Sequence, residues 1–216
     1  MIARTLAVCV LLTTVASGVS AADVVFAHPL GPAELRQLTA VATVALANTP
    51  VVRGQFVQRR YLRELPRPLE ARGEFLYARG VGIEWHTLAP FDSRLVLTAA
   101  GIRQSSGNDT ARVDAQEQPA LRAVGRVFFG LFALDFDSLA RDFRTFGVAE
   151  SNHWRVGLQP RRAALRHLFD DAVLAGSNGV ESVVLQDAAG DRTEILLQKL
   201  QYDPQPLTAA DRKSVV

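Results

Sequence analysis

A single cysteine, a single methionine and two lysines among 216 residues exclude several kinds of protein before any motif is considered. Cys9 has no second cysteine to pair with, so no internal disulfide can hold the fold. Lys199 and Lys213 leave arginine to carry the positive charge, and no basic block is interleaved with aromatic residues. A nucleic-acid partner is therefore not expected. The formal net charge is +2, close to balance. No apolar stretch reaches the roughly 18–20 residues that a membrane-spanning helix needs. The GxSxG elbow, the phosphate-cradling glycine loop and HExxH are also missing, which leaves hydrolase, nucleotide and zinc-protease chemistry without a motif.

What the N-terminus does carry is an export pattern. Arg4 precedes a short apolar run at 6–15, and Val19, Ser20, Ala21 and Ala22 supply small residues for cleavage. Residues 1–22 thus read as a secretory signal and 23–216 as one domain, with Cys9 leaving in the signal. A cysteine-free exported chain fits the bacterial periplasm.

The stretch at 72–98, RGEFLYARGVGIEWHTLAPFDSRLVLT, alternates with a period of two. Phe75, Tyr77 and Arg79 share one face of an extended segment, Ile83 and Trp85 begin a second, and Leu95 and Leu97 mark a third beyond Pro90. These make an antiparallel meander. Arg79 continues the parity of Phe75 and Tyr77, so its guanidinium should turn toward the apolar side and needs partners there.

Upstream, Pro32 can begin a helix in which Leu35, Leu38, Ala42, Ala45 and Leu46 recur at helical spacing, before a strand at 51–62 with Val52, Gly54, Phe56 and Gln58 on one side. Residues 101–106 can add a strand, and Gly107, Asn108 and Asp109 signal a turn. At 120–134, Leu121, Val124, Val127, Phe128, Leu131 and Phe132 recur at spacings of three and four. Gly125 and Gly130 each weaken that helix by about 1 kcal/mol, which suits an apolar segment able to move. Asp135 or Asp137 can cap a short helix at 138–143. Strands resume at Arg144, the segment 161–169 is ambiguous, and 172–174, 180–185 and 193–197 form a second meander before a tail beginning at Tyr202.

For an enzyme, the candidates are His86 and His153, each beside a strand tryptophan, and the pairs Asp170/Asp171 and Asp135/Asp137. Neighbouring strand residues point to opposite faces, a metal site needs a third ligand, and Asp135 and Asp137 flank a helix start. Neither a catalytic group, a metal nor a cofactor is expected. Phe56, Phe75, Tyr77, Trp85, Leu95 and Leu97 are either the core of a sandwich or barrel, or the lining of an apolar cavity. A meander, a loosened apolar helix, an amphipathic first helix and an inward arginine together favour a container.

The segments GQFVQ at 54–58, the stretch at 72–98 and DAAGDRTEILL at 187–197 resemble, in order and spacing, the periplasmic outer-membrane lipoprotein carriers of the LolA type. That resemblance implies an α+β fold, an open, incomplete antiparallel β-barrel whose concave apolar face lies under a helical lid. It implies a monomeric, non-enzymatic carrier for acylated lipoprotein or other lipid cargo. An inner-membrane transporter is the implied donor and an outer-membrane receptor the acceptor. Arg79, ahead of Trp85, matches the arginine that holds the lid closed through lid backbone. Gly80 stands where the family commonly has proline, and 161–169 does not align, which leaves open a branch that carries or senses a glycolipid, polyene or fatty-acyl product. The implied acyl-binding residues are Phe56, Phe75, Tyr77, Trp85, Leu95 and Leu97 from the sheet and Val127, Phe128, Leu131 and Phe132 from the lid.

Overall fold

The computed structural model describes residues 21–107, 109–114, 130, 132, 135–167, 169–209 and 211–212. Among them, eleven strands form one antiparallel sheet in the order β6-β5-β4-β3-β2-β1-β11-β10-β9-β8-β7. The first meander is β1 (Val51–Tyr61), β2 (Leu69–Ala78), β3 (Gly82–Ala89), β4 (Ser93–Thr98), β5 (Gly101–Ser106) and β6 (Asp109–Asp114). The second is β7 (Phe143–Glu150), β8 (His153–Pro160), β9 (Asp171–Gly176), β10 (Val180–Gln186) and β11 (Arg192–Asp203). Pairing of β1 with β11 joins the two meanders. The terminal strands β6 and β7 do not pair with each other among the described residues, so the sheet is an open half-barrel.

The period of two decides which side chains face inward. Phe56, Phe75, Tyr77, Ile83 and Leu97 are buried in one cluster with Val156, Leu158, Leu174, Val183 and Leu197 from the second meander. Two glycines make room for the rings. Gly54 pairs with Phe75 and Gly73 with Phe56, so each ring lies across the glycine of the neighbouring strand. A β-carbon on Gly54 would stand 2.7 Å from the Phe75 ring, and one on Gly73 2.8 Å from that of Phe56 and closer still to the His86 carbonyl oxygen of β3.

Among the described residues, helices with defined bounds accompany the sheet as α1 (Ala21–Phe26), α2 (Pro32–Leu38), α3 (Ala40–Ala47), α4 (Phe136–Asp142) and α5 (Ala163–Arg166). The expected first helix is therefore two. Thr39 turns its hydroxyl back onto the Leu35 carbonyl at 2.9 Å, a bond that competes with regular helix geometry and bends the chain there. Leu35, Ala42 and Leu46 face the core, whereas Ala45, expected on the same stripe, is exposed. Phe143 was expected to close the helix after Asp135 but instead opens β7. The segment 161–169 contains the single turn of α5. The first meander gains a sixth strand, β6, and β11 runs to Asp203, past the expected end at 197 and through the expected tail at Tyr202. A bulge explains the latter difference. The β1–β11 register shifts between Arg53 and Gln55, opposite Lys199 at φ 51°, and the alternation is lost there.

The N-terminal segment wraps the edge of β7. Leu30 N–H donates to the Thr145 carbonyl and Gly147 N–H to that of His28, each at 2.9 Å, so this stretch pairs with an otherwise open strand. On one side of that strand Phe26 meets Phe146 edge-on at 5.3 Å, and on the other Leu30 and Leu38 fill the space above Gly147. Residues 1–20 of the expected signal at 1–22 lie outside the described residues, and α1 spans the expected boundary at Ala22.

At the other end of the chain, Leu207 packs with Val51, Leu76 and Ala78 on the convex face, and Asp211 pairs with Arg53 at 2.8 Å. The Thr208 hydroxyl and the Arg53 guanidinium hold the Asp211 carboxyl below its usual range. A depressed carboxyl stabilises above its unfolded value and ceases to do so as pH falls through the folded one. The tail should stay seated above about pH 4 and loosen on acidification. Hydrogen exchange at 208–212 checks this, and Arg53→Ala should raise exchange at neutral pH. Gly73→Ala should lower the unfolding free energy by about 3 kcal/mol or more in chemical denaturation, because the added β-carbon would meet the His86 carbonyl oxygen and the backbone of β3 must move away from β2.

Candidate functional site: the concave face and its cover

The inner face of the first meander is an aromatic surface. Phe56 stacks on Trp85 with ring centroids 3.8 Å apart, and Phe75 lies 5.9 Å from the same indole. The strands set this geometry, since Phe75 is the direct cross-strand partner of Trp85 and Tyr77 that of Ile83. Phe132 descends onto the surface from the cover, 5.3 Å from Phe75 and 5.7 Å from Tyr77. Burial pushes the Tyr77 hydroxyl above its ordinary range, while the charge of Arg79 acts in the opposite direction.

The rest of the described cover is α2, α3 and α4, whose Leu35, Ala42, Leu46 and Leu139 join the same apolar cluster. It meets the sheet rim at Arg79. The Arg79 N–H donates to the Pro50 carbonyl at 2.8 Å, and its guanidinium donates to the Leu46 carbonyl and, at 3.4 Å, to that of Thr49. Leu46 lies in the last turn of α3, where helix carbonyls lack intrahelical partners and the dipole presents its negative end. One cation thus ties a helix terminus to the end of β2. Arg79 is itself exposed: the parity expectation gives the correct direction, but the side chain ends at the rim and not within the apolar face.

Among the described residues, a small cavity of about 10 Å³ lies on the concave face, between Leu46, Val52, Phe75, Phe132, Val180, Leu197 and Tyr202. That is about the space of one water, whereas small-molecule sites run to several hundred Å³. Leu46 and Phe132 of the cover stand at the margin of this space. A larger cavity of about 350 Å³ lies on the convex face, walled by Arg53, Glu74, Glu84, His86, Lys199 and Asp211. Its charged walls do not suit an acyl chain.

Of the expected acyl-binding residues, Phe56, Phe75, Tyr77, Trp85, Leu97 and Phe132 are brought together. Leu95 is half-buried, pairs with Trp85 and Gln104, and stands outside that cluster. Val127, Phe128 and Leu131 lie outside the described residues. Val180 and Tyr202 line the cavity without having been singled out, because the bulge at Lys199 hides the parity that places Tyr202 beside Val52. The candidate acid–base groups stay apart. His86 pairs with Asp92 at 3.0 Å on β3, and His153 faces Glu181 at 3.6 Å on β8, six strands away in sheet order. Asp171 opens β9 with its carboxyl raised by burial and, secondarily, by the charge of Asp170. Asp135 is exposed, and its carbonyl accepts the Leu139 N–H at 3.1 Å.

No family model matches the chain, and no curated protein matches its sequence. Solved structures do resemble it. MucB has a TM-score of 0.50 at 14% identity, over 84% of this chain and 62% of its own. A LolA superfamily protein of Nitrosomonas europaea has a TM-score of 0.45 at 9% identity, over 80% of this chain and 94% of its own. The lipoprotein LppX of Mycobacterium tuberculosis has 0.43 at 9%, over 82% and 99%. At 14% identity or less, the likeness is one of fold alone, an open half-barrel.

Removing the Arg79 contacts should free α3 before it disturbs the sheet. Arg79→Leu should accelerate amide exchange in α3 several-fold and leave β1 and β2 protected. Because the side chain is exposed, the global cost should be no more than about 1 kcal/mol.

Proposed function

We propose that the protein is a carrier that shelters the acyl chain of a lipoprotein or another amphiphile on its concave face, in exchange for the cover. The observation that supports this is an aromatic inner face covered by separate helices, one of which is tied at its C-terminal end to the sheet rim by a single arginine. Phe56, Phe75, Tyr77, Trp85 and Leu97 would meet the chain, and Phe132, Leu46 and Leu35 would give way to it. Val127, Phe128 and Leu131 belong to the proposed cover, and Leu95 to the margin of the site.

Magnitudes favour reversible exchange. A long acyl chain gains on the order of 10 kcal/mol from burial, at about 0.8 kcal/mol per CH₂. Two leucines and a phenylalanine of the cover gain about 5–9 kcal/mol in the same place. The difference is small enough for the Arg79 contacts, present only when the cover is closed, to influence whether cargo stays or leaves. In a periplasmic setting the donor is an inner-membrane transporter and the receiver an outer-membrane receptor, and the carrier works as a monomer without cofactor or catalysis.

Native mass spectrometry of protein taken from the periplasm tests this reading. One acylated molecule per chain is expected, with higher occupancy and slower hand-over in Arg79→Leu. Chains that never carry lipid, or a variant that transfers at the parent rate, would refute the carrier and the latch respectively. Phe75→Ala should lower occupancy, and because Phe75 is buried it should also cost about 3–5 kcal/mol of stability, so circular dichroism must first show the variant folded.

A further inference from the structure

The inward face changes character along β2. Cross-strand pairing sets Tyr77 of β2, Val52 of β1 and Tyr202 of β11 in one row, the last inward row before the rim at Arg79. The next inward residue of β2 is Phe75, and beyond it Gly73 lies under the Phe56 ring. Aromatic hydrocarbon thus gives way to hydroxyl and guanidinium in two steps, from Phe75 through Tyr77 to Arg79. An amphiphile has the same polarity.

The Tyr77 hydroxyl has no task within the closed arrangement. Tyr77 is 2% exposed, yet among the described residues no protein group is hydrogen-bonded to its hydroxyl. A phenylalanine, as at position 75, would fill the place without desolvating a hydroxyl. Polar side-chain atoms this deeply placed mostly have a partner, and here the described chain does not supply it. The ring lies 5.7 Å from Phe132 of the cover, and the hydroxyl is near enough to Arg79 for that charge to act on it.

Lifting the cover changes the needs of both groups. Phe132 leaves the Tyr77 ring, and α3 takes the Leu46 carbonyl away from the Arg79 guanidinium. Two donors then face the mouth of the site without an acceptor, and an alkyl chain offers none. An ester- or amide-linked acyl chain offers one, at the end where it joins the rest of the molecule. We infer that Tyr77 and Arg79 form a binding site for the carbonyl oxygen of such a chain. The inference rests on the carrier reading and adds an orientation to it: the linkage lies at the Arg79 rim, and the hydrocarbon runs inward over Phe75, Trp85 and Phe56. Arg79 exchanges one neutral carbonyl for another, so the return of Leu46 to the guanidinium removes a bond from the cargo. Latch and cargo site are then one side chain.

The test compares methyl dodecanoate with dodecyl methyl ether, two ligands of equal length that differ in the carbonyl. Each displaces the neutral dye N-phenyl-1-naphthylamine from the purified chain, and the quantity read is the ratio of their affinities. The parent should prefer the ester about tenfold, since the bond to a charged donor is among the stronger ones. Tyr77→Phe should reduce the preference several-fold, and because the hydroxyl it removes bonds no described group, its thermal melt should stay at or above that of the parent. Arg79→Leu frees the cover and should tighten both ligands, while the ratio falls toward one. That common gain reports the latch, and the ratio reports the carbonyl site. A ratio near one in the parent, or an unchanged ratio in either variant, would overturn the assignment and leave the carrier reading standing. Failure of both ligands to displace the dye would overturn the carrier reading, and this site with it.

Discussion

The structure depends on an apolar sheet face that the sheet cannot bury by itself. A closed barrel turns its inner face onto itself, and a sandwich supplies a second sheet. Here β6 and β7 stay apart, so Phe56, Phe75, Tyr77 and Trp85 must be covered by something that is not a strand. Helices provide that cover. Their side chains reach the sheet by insertion, as Phe132 does between Phe75 and Tyr77, and inserted side chains can be withdrawn without breaking any ladder hydrogen bond.

The remaining elements manage the exposed margins that an open sheet creates. The segment between α1 and α2 pairs along β7 and protects that edge, while the Leu207–Asp211 segment packs on the convex side of β1 and β2. The two faces of the sheet differ in consequence. On β1 and β2 the convex side is held by Leu207 and the Arg53–Asp211 pair, whereas the aromatic side of the same strands is held by apolar contact and by Arg79 at one rim. Apolar burial there is large in sum and has no directional component, so it permits one greasy occupant to replace another.

Strands were legible where the alternation was unbroken. The 72–98 meander, the shared side of Val52, Gly54 and Phe56 on its neighbour and the direction of Arg79 all follow from parity, and the open half-barrel follows from the family resemblance. Legibility failed where one residue breaks the period. Thr39 divides a continuous apolar stripe into two helices, and the left-handed Lys199 shifts β11 so that a real strand resembles a polar tail. Leu95 illustrates a different limit: parity gives its face but not how far the helical cover extends across the sheet. The size of the cavity was also beyond the sequence, because an apolar stripe reads the same whether its partner is a lid or a ligand.

The central claim is that cover and cargo compete for one surface, and amide exchange measured with and without a bound fatty-acyl chain tests it most directly. Displacement predicts faster exchange throughout α2 and α3 on loading, with β1, β2 and β11 equally or better protected. Unchanged or slower exchange in α3, with the acyl chain demonstrably bound, would show that the cargo lies elsewhere and that the helices are a fixed part of the core.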